Sequence, residues 1–332
     1  MQQVKNVKIF EATITIPSYE LLGEDLNPVF DRRLDPYPYT LQNYKSDKIT
    51  DHEYRTVVVE NEYIRLTVLP ELGGRLYSAY DKVNGKEMFY KNPVIKPRMI
   101  ATRGAWISGG VEFNFPISHS PNTMSHVNHT LNTYKDGSAS VVFGNIEMMS
   151  HMHWKVELRL YPGKMYIEEN VRLYNPTAYE NRFYFWTNAA VGYNENVKLI
   201  YPFDWCINNR TSEYRKWPYY NGVDCSAPNE IPSSFEVFGK LKYDKFFGVY
   251  DYKSDYGIVH YADNKKVKGA KFFTWGNDGR GDAWNRALTD DDMCRSTRRQ
   301  GKPAAVAYKQ GKYRQFRLAP ERGQKQCIEQ MR

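Results

Sequence analysis

The hydrophobic and polar positions of this chain alternate with a period of two over much of its length. Strand-like pieces occupy residues 3–16, 54–60, 63–70, 138–143, 154–160, 164–174, 182–193, 246–252, 257–262 and 269–276. A period of two predicts strands, and Asn-Gly, Asp-Gly, Pro-Gly and Asn-Pro pairs between the pieces predict turns. No stretch has a convincing helical period. The pattern therefore predicts an all-β fold, and the regular spacing of short strands favours a large antiparallel β-sandwich.

One segment near the N-terminus departs from this pattern. Residues 17–51 show little periodicity and many Tyr, Asp and Pro residues, which predicts an extended arm or a wrapping loop. No linker-like composition occurs before about residue 292. We therefore predict one β-sandwich domain over residues 1–292 and a separate tail over residues 293–332.

The composition suits such a fold. The chain has 332 residues, of which 15% are aromatic, including 27 Tyr, while 41% are hydrophobic. Aromatic residues favour strands, and their flat faces either fill a wide core or stack on sugar rings. No apolar run approaches the ~18 residues of a membrane span. The first residues lack the apolar core of a signal peptide, which predicts a cytoplasmic protein, or a periplasmic one if a leader has been removed.

The four cysteines, Cys206, Cys225, Cys294 and Cys327, have neither metal-type spacing nor a paired framework. A reduced compartment fits this pattern, and we predict no metal site and no cofactor.

The net charge of +8 is located almost entirely in the tail. Residues 293–332 contain eleven Lys/Arg and two Asp/Glu, so the remaining 292 residues carry a net charge of about −1. A domain with almost no net charge lacks the excess of basic residues that is typical of nucleic-acid binding. We therefore expect neither a nucleic-acid nor a membrane partner, and the sequence leaves the oligomeric state open.

The segment at residues 103–129 concentrates the candidate chemistry. It contains Trp106, a Gly109-Gly110 pair, one carboxylate and three of the seven histidines. Residues 111–115 alternate like a short strand that places Glu112 and Asn114 on one face. A carboxylate among apolar residues is costly unless it has a partner or a function.

Pro116 ends this short strand and places His119 in the loop that follows. We therefore predict Glu112 and His119 as a proton acceptor and donor, with Trp106 and Asn114 contacting a substrate. The alternative is a Gly-rich strand end with surface histidines, and residue types alone do not choose between the two.

Arg75 follows another Gly-Gly pair. It is a candidate for binding a sugar hydroxyl or a uronate carboxylate, because guanidinium groups form paired hydrogen bonds with such oxygens. The alternative is an ion pair with Glu71 or Asp81.

A second candidate group lies at residues 274–286, with the sequence T-W-G-N-D-G-R-G-D-A-W-N-R. Trp275 and Trp284 alternate with the polar side chains of Asp282 and Arg286. Aromatic rings beside planar polar groups suit sugar rings, so we predict substrate contacts here. The alternative is an Asp/Gly-rich loop that closes one end of the sandwich.

Two histidines of the 103–129 segment, His126 and His129, are three residues apart and could pair as metal ligands. No further ligand stands at a fixed spacing from them, so surface histidines are the favoured interpretation.

Five motifs occur in an order that resembles a known family. They are V-L-P-E-L-G-G-R-L-Y-S-A-Y-D-K at 68–82, W-I-S-G-G-V-E-F-N-F-P at 106–116, L-Y-P-G-K at 160–164, L-Y-N-P-T at 173–177 and W-G-N-D-G-R-G-D-A-W-N-R-A-L-T-D at 275–290. Over residues 5–292 the chain resembles the family called domain of unknown function 5107. The resemblance implies the galactose mutarotase-like fold, with a sugar site on the concave face of one sheet.

True aldose epimerases of that superfamily use a histidine acid and a carboxylate base. In this chain the strand that resembles the histidine-bearing strand has the sequence F-Y-F-W-T-N-A-A-V, which places Asn188 where the histidine is expected. An amide holds a hydroxyl group but does not supply a proton at a useful pKa. We therefore predict substrate binding for Asn188 and doubt simple mutarotase activity.

The resemblance ends near residue 292, where family members continue with a strand that carries the candidate base. The tail is either a genuine basic extension or the product of a shifted reading frame.

Two functions remain open from the sequence. The first is a carbohydrate-active enzyme, such as a hydrolase, lyase or epimerase, acting on an oligo- or polysaccharide by general acid/base catalysis. The second is a carbohydrate-binding or assembly module without turnover.

Overall fold

The structure is a computed structural model in which the backbone is described for residues 6–30, 36–240, 246–263, 267, 269–289, 302–310, 316–318 and 327–329. The described residues are mostly in strands, and nearly all strand pairs are antiparallel. The all-β prediction is confirmed. The chain divides into two compact units: unit 1 comprises mainly Met1–Phe185 and Gln315–Gln330, and unit 2 comprises Trp186–Arg314.

Unit 1 is built from the following strands: β1 Lys8–Phe30, β2 Pro36–Glu60, β3 Ile64–Leu69, β4 Arg75–Asp81, β5 Lys86–Glu87, β6 Arg98–Ala101, β7 Gly104–Trp106, β8 Val111–Asn114, β9 Asn128–Thr133, β10 Ala139–Ile146, β11 His153–Leu160, β12 Glu168–Tyr174 and β13 Asn181–Phe183. The hydrophobic residues of β3 and β4 are almost all buried. These strands carry the site described below.

The larger sheet of unit 1 has the strand order β8-β4-β3-β2-β7-β6, with β1 paired to β2 and β5 paired to β4. The segment predicted as an irregular arm is extended, but its two sides pair with each other. β1 and β2 form one long antiparallel hairpin whose register runs from Lys8↔Glu60 to Phe30↔Pro36, with irregularities beyond Tyr19. Backbone pairing therefore orders a segment whose side-chain pattern gave no strand signal.

The smaller sheet of unit 1 has the order β12-β11-β10-β9. It packs on the larger sheet through Phe143 of β10, whose ring centroid lies 5.1 Å from that of Phe113 on β8. Val111 and Phe113 thus face the small sheet. Since side chains alternate along a strand, Glu112 and Asn114 point to the other face of the large sheet, as the sequence predicted.

Unit 2 contains β14 Phe185–Tyr193, β15 Val197–Ile200, β16 Trp205–Asn208, β17 Tyr214–Lys216, β18 Tyr219–Tyr220, β19 Val223–Asp224, β20 Phe235–Lys240, β21 Phe246–Asp251, β22 Tyr256–Tyr261, β23 Gly269–Thr274, the helix α1 Gly279–Leu288 and β24 Lys302–Gln310. One sheet has the order β17-β16-β20-β23-β24-β14, and another has the order β15-β21-β22. Its core includes Tyr201, Phe203, Phe247 and Phe272.

The helix α1 was not predicted from the sequence, because its residues lack an apolar stripe. Asp278 caps its N-terminus by accepting a hydrogen bond from the Gly281 amide at 2.8 Å. The segment at 274–286, for which substrate contacts were predicted and a loop was the alternative, is therefore largely helical. Within the described residues no helix is long and apolar enough to cross a membrane.

Three short strands fall in the region predicted as a separate tail. β24 pairs with β23 in unit 2, while β25 Phe316–Leu318 pairs with β13 and β26 Cys327–Glu329 pairs with β12. The predicted division into a domain at 1–292 and a tail at 293–332 stays a prediction.

Candidate functional site

The candidate site of unit 1 lies where β4 and β8 meet. Leu76 pairs with Val111 in antiparallel register, so the preceding residue of β4, Arg75, stands opposite the following residue of β8, Glu112. Directly opposed side chains of an antiparallel pair are about 5 Å apart at Cβ. The fold thus brings together two residues that are 37 positions apart in the sequence.

Each of these strands follows a Gly-Gly pair. All four glycines have positive φ: Gly73 at 69°, Gly74 at 72°, Gly109 at 98° and Gly110 at 62°. Two of them also permit close approach, since a Cβ on Gly74 would overlap the Phe143 ring and a Cβ on Gly110 would overlap the Leu76 carbonyl oxygen. The glycines therefore set how the strands enter the site.

Glu112 is the centre of the site and is only 4% exposed. Its Oε2 accepts a hydrogen bond from Trp106 Nε1 at 2.8 Å and lies 3.4 Å from Arg75 Nη2. Its Oε1 lies 2.9 Å from His119 Nδ1. An N–H donor and a guanidinium on one oxygen are what an ionised carboxylate requires in a buried position.

Arg75 is equally buried, with 3% of its surface exposed. It donates through Nη1 to the Gly109 carbonyl, and Nη2 faces Glu112. Burial lowers the pKa of Arg75 from its ordinary value, while the charge of Glu112 opposes that shift. Neither ion-pair partner considered from the sequence contacts Arg75: Glu71 pairs with Arg55, and Asp81 accepts from amides of its own turn.

His119 is the member of this group with the most accessible side chain, which is 20% exposed. Its ring lies 5.3 Å from that of Trp106 between centroids. The loop that carries it is held by Asn114, whose Oδ1 accepts from the Ser120 amide at 2.7 Å. Because an ionised Glu112 can only accept, His119 Nδ1 carries the proton of this contact.

Two buried donors of this group have no acceptor among the described residues: the Nε of Arg75 and the Nδ2 of Asn114. Asn114 is fully buried. Buried polar atoms of this kind are uncommon, and a bound water or a ligand oxygen is the usual partner. Both residues belong to the face of the sheet that carries Glu112.

The site therefore unites five of the residues selected from the sequence: Arg75, Trp106, Glu112, Asn114 and His119. The sequence did not predict that the Gly109 carbonyl accepts a hydrogen bond from Arg75, because residue types carry no information on the contacts of backbone groups. Both oxygens of Glu112 contact protein groups, and its predicted direct role in proton transfer is not tested by these contacts. The catalytic and binding roles assigned to these residues stay predictions.

The other five selected residues belong to unit 2. Asn188 is a buried residue of β14. Trp275 and Trp284 stack on each other with centroids 4.6 Å apart and planes 11° apart, so one face of each indole is covered by the other. Asp282 and Arg286 lie on α1, where Arg286 is exposed. Their predicted contacts with a substrate stay predictions.

The histidines considered as metal ligands have other contacts. His129 Nε2 lies 3.1 Å from Glu11, and the rings of His126 and His129 are 6.2 Å apart. Among the side chains that the structure describes, no cluster of three or more His, Cys, Asp or Glu residues could hold a metal ion.

Known proteins resemble this chain in both sequence and structure. The model of the family called Domain of unknown function (DUF5107) matches residues 33–315. A crystal structure of a TPR-domain containing protein from Parabacteroides distasonis superposes with a TM-score of 0.85 at 25% identity, covering 99% of this chain and 56% of that protein. The chain thus spans about half the length of that relative.

Two further structures share the fold at lower identity. A "putative mutarotase" from Salmonella typhimurium has a TM-score of 0.60 at 11% identity, covering 83% of this chain and 89% of that one. A galactose mutarotase-like protein from Lactobacillus casei has a TM-score of 0.55 at 10% identity, covering 82% of this chain and 98% of that one. The chain therefore has the galactose mutarotase-like fold, and it belongs to the DUF5107 family.

Proposed function

We propose that this chain binds a saccharide at the cluster of Arg75, Trp106, Glu112, Asn114 and His119, and that His119 exchanges a proton with a sugar hydroxyl or ring oxygen. The observation that supports this most is the contact between the buried Glu112 carboxylate and the partly exposed His119 imidazole at 2.9 Å. A carboxylate that receives the Nδ1 proton of a histidine fixes the tautomer and orients the ring. The fold shared with mutarotase-like proteins points to a sugar rather than another hydroxylated ligand.

In this proposal Glu112 is the positioning residue and His119 is the catalytic residue. Trp106 and Arg75 engage Glu112 Oε2, so that Oε1 is directed at His119. The imidazole then accepts a proton from the sugar through Nε2 and returns it later in the reaction. General acid/base catalysis of this type contributes about 10²- to 10⁴-fold in rate.

The accessible side of the cluster supports the binding part of the proposal, because the His119 side chain is 20% exposed and can meet a ligand. Trp106 adds an indole next to the His119 ring. The C–H faces of a sugar stack on such rings.

The test measures exchange between the anomers of D-galactose, D-glucose and D-glucuronate by NMR exchange spectroscopy, and product formation on oligosaccharides of the same sugars. The proposal predicts turnover above the uncatalysed rate for at least one of them. His119→Ala should lower that rate by about 10²- to 10⁴-fold with an unchanged fold. His126→Ala is the matched control, because His126 is an exposed histidine of the same segment, and it should retain full activity. Equal loss in both variants would refute the assignment.

A second candidate is a saccharide-binding module without turnover. Asn188, which takes the position of the epimerase acid in the sequence resemblance, favours it because an amide does not supply a proton. Calorimetry with the same sugars separates the two candidates. Binding that depends on Asn114 and Trp106 without any product supports the module.

A further inference from the structure

Unit 2 contains a solvent-connected cavity whose lining includes none of the ten residues selected from the sequence. Its volume is about 660 Å³, within the range typical of small-molecule sites. The lining comes from β15, the segment after it, the turn near Pro218 and the residue that follows β21, and it includes Lys198, Ile200, Asp204, Trp217, Ser226 and Tyr252. A cavity of this size accommodates two or more sugar rings.

The aromatic part of the lining is rigid. The Trp217 ring lies 5.2 Å from that of Phe203 and 5.7 Å from that of Tyr201, at 74° to the latter. Tyr201 stacks on Phe247 with centroids 5.3 Å apart, and its hydroxyl donates to the Lys271 carbonyl at 3.2 Å. These rings are therefore held before any ligand arrives, which lowers the entropic cost of binding.

At the rim of the cavity stands Tyr252, which is 66% exposed. A tyrosine ring offers both an apolar face and a hydroxyl group to a ligand in the cavity. Ile200, 39% exposed, adds an apolar surface to the same lining.

One polar wall is organised by Asp224. Lys198 Nζ donates to Asp224 Oδ2 at 2.9 Å, and the Ser226 hydroxyl donates to Oδ1 at 2.6 Å. The hydrogen bond from Lys198 raises the pKa of that lysine, so its ammonium stays charged. Asp204 contributes a carboxylate to the lining itself, while Asp224 lies behind Lys198 and Ser226. Lys198 is thus already balanced, and the carboxylates disfavour an anion.

We infer that this cavity is a second saccharide site, which binds a neutral oligosaccharide by stacking on Tyr252 and on the partly buried Trp217. Neutral sugars combine apolar C–H faces with hydroxyl groups that both donate and accept, and this lining offers rings, an ammonium, a carboxylate and hydroxyls without excess positive charge. The site holds a glycan chain, and the cluster around Glu112 has no part in it. The inference stands on unit 2 alone and does not rest on the function proposed above.

The test uses the full chain carrying His119→Ala, which removes the imidazole of the first site and leaves the buried Arg75–Glu112 pair intact. Calorimetry measures binding of neutral hexasaccharides of glucose and of galactose, and of a hexasaccharide of galacturonic acid. At least one neutral hexasaccharide should bind saturably, and the acidic one should bind more weakly. Tyr252→Ala should weaken the neutral ligand by about three- to tenfold, whereas Tyr252→Phe should stay within about threefold, because it keeps the ring.

Tyr261→Ala is the matched control. Tyr261 is 46% exposed and lies at the opposite end of the β21–β22 hairpin, where it pairs with Phe246. The Tyr261→Ala variant should bind the neutral hexasaccharide as tightly as the same background without this substitution. Equal weakening by Tyr261→Ala, tighter binding of the acidic ligand, or no saturable binding of either neutral hexasaccharide overturns the inference. Weaker binding of the neutral hexasaccharide by Tyr252→Ala in this background supports the inference even if no activity that depends on Glu112 is found.

Discussion

The ion pair between Arg75 and Glu112 yields the sharpest prediction of stability. Both residues are nearly inaccessible, with exposures of 3% and 4%, and the Arg75 guanidinium has one carboxylate partner in Glu112. Glu112→Gln preserves the size of the side chain and keeps an oxygen for Trp106 Nε1 to reach. It removes the charge that compensates Arg75. A buried guanidinium is then left without a counter-charge.

The expected cost follows from the burial of the pair. Removing one partner of a buried ion pair destabilises a protein by about 3–5 kcal/mol. That is a large part of the ~5–15 kcal/mol by which a domain is stable. Arg75→Met should cost a similar amount. The double variant should lose less than the sum of the two, with a coupling free energy of about 1–3 kcal/mol, because no buried charge remains unpaired.

The assay is urea-induced unfolding followed by circular dichroism for the four members of this cycle. The exposed pair between Arg55 and Glu71 is the matched control, since its atoms are 2.9 Å apart but Arg55 is 78% exposed. Glu71→Gln should cost less than about 1 kcal/mol. If Glu112→Gln costs no more than Glu71→Gln, or if the cycle is additive, the buried pair is not coupled as the structure describes.

Three further predictions concern other parts of the chain. Gly74→Ala should destabilise it by about 2–4 kcal/mol in a thermal or urea melt, because φ is 72° and a Cβ would overlap the Phe143 ring; an unchanged midpoint would contradict that packing. Burial raises the thiol pKa of Cys206 to about 11 and that of Cys225 to about 12. In a variant whose other two cysteines are replaced by serine, alkylation at pH 8 should therefore proceed only after unfolding. Fast labelling of the native chain would contradict the burial of these two thiols. The His260 side chain is partly exposed, but burial lowers its pKa to about 3. Its contribution to stability is therefore complete above pH 6.5 and falls by at most about 1.4 kcal/mol per pH unit as the pH drops towards 3. His260→Phe should flatten the acid limb of a stability–pH curve.

Part of the fold of unit 1 could be predicted because apolar and polar residues alternate along some of its strands. β3 and β8 alternate in sequence, and the placement of Glu112 and Asn114 on one face of β8 followed from period two, although β8 is buried on both faces. The hairpin of β1 and β2 beyond Tyr19 could not be predicted, since its order comes from backbone pairing. The sequence also gave no helical signal for α1, which a capping aspartate and local turns define.

The candidate site could be predicted in its residues but less well in its contacts. Arg75 and Glu112 were both selected, yet their pairing depends on the register between β4 and β8, which no local pattern encodes. The Gly-Gly pairs were a usable signal, because positive φ at a strand entry requires glycine. The aromatic cavity of unit 2 was not selected, since Tyr201, Phe203 and Trp217 read as ordinary core residues until Tyr252 and the Lys198–Asp224 pair are placed beside them.

The measurement that tests the central claim most directly is the nitrogen-15 NMR spectrum of the His119 imidazole during a sugar titration, assigned by comparison with His119→Ala. Because Glu112 accepts from Nδ1, neutral His119 should be the tautomer with the proton on Nδ1. Its Nε2 resonance should shift saturably with at least one of D-galactose, D-glucose and D-glucuronate, while the resonances of His126 stay unchanged. A proton on Nε2, or a His119 spectrum that no sugar alters, would contradict the account.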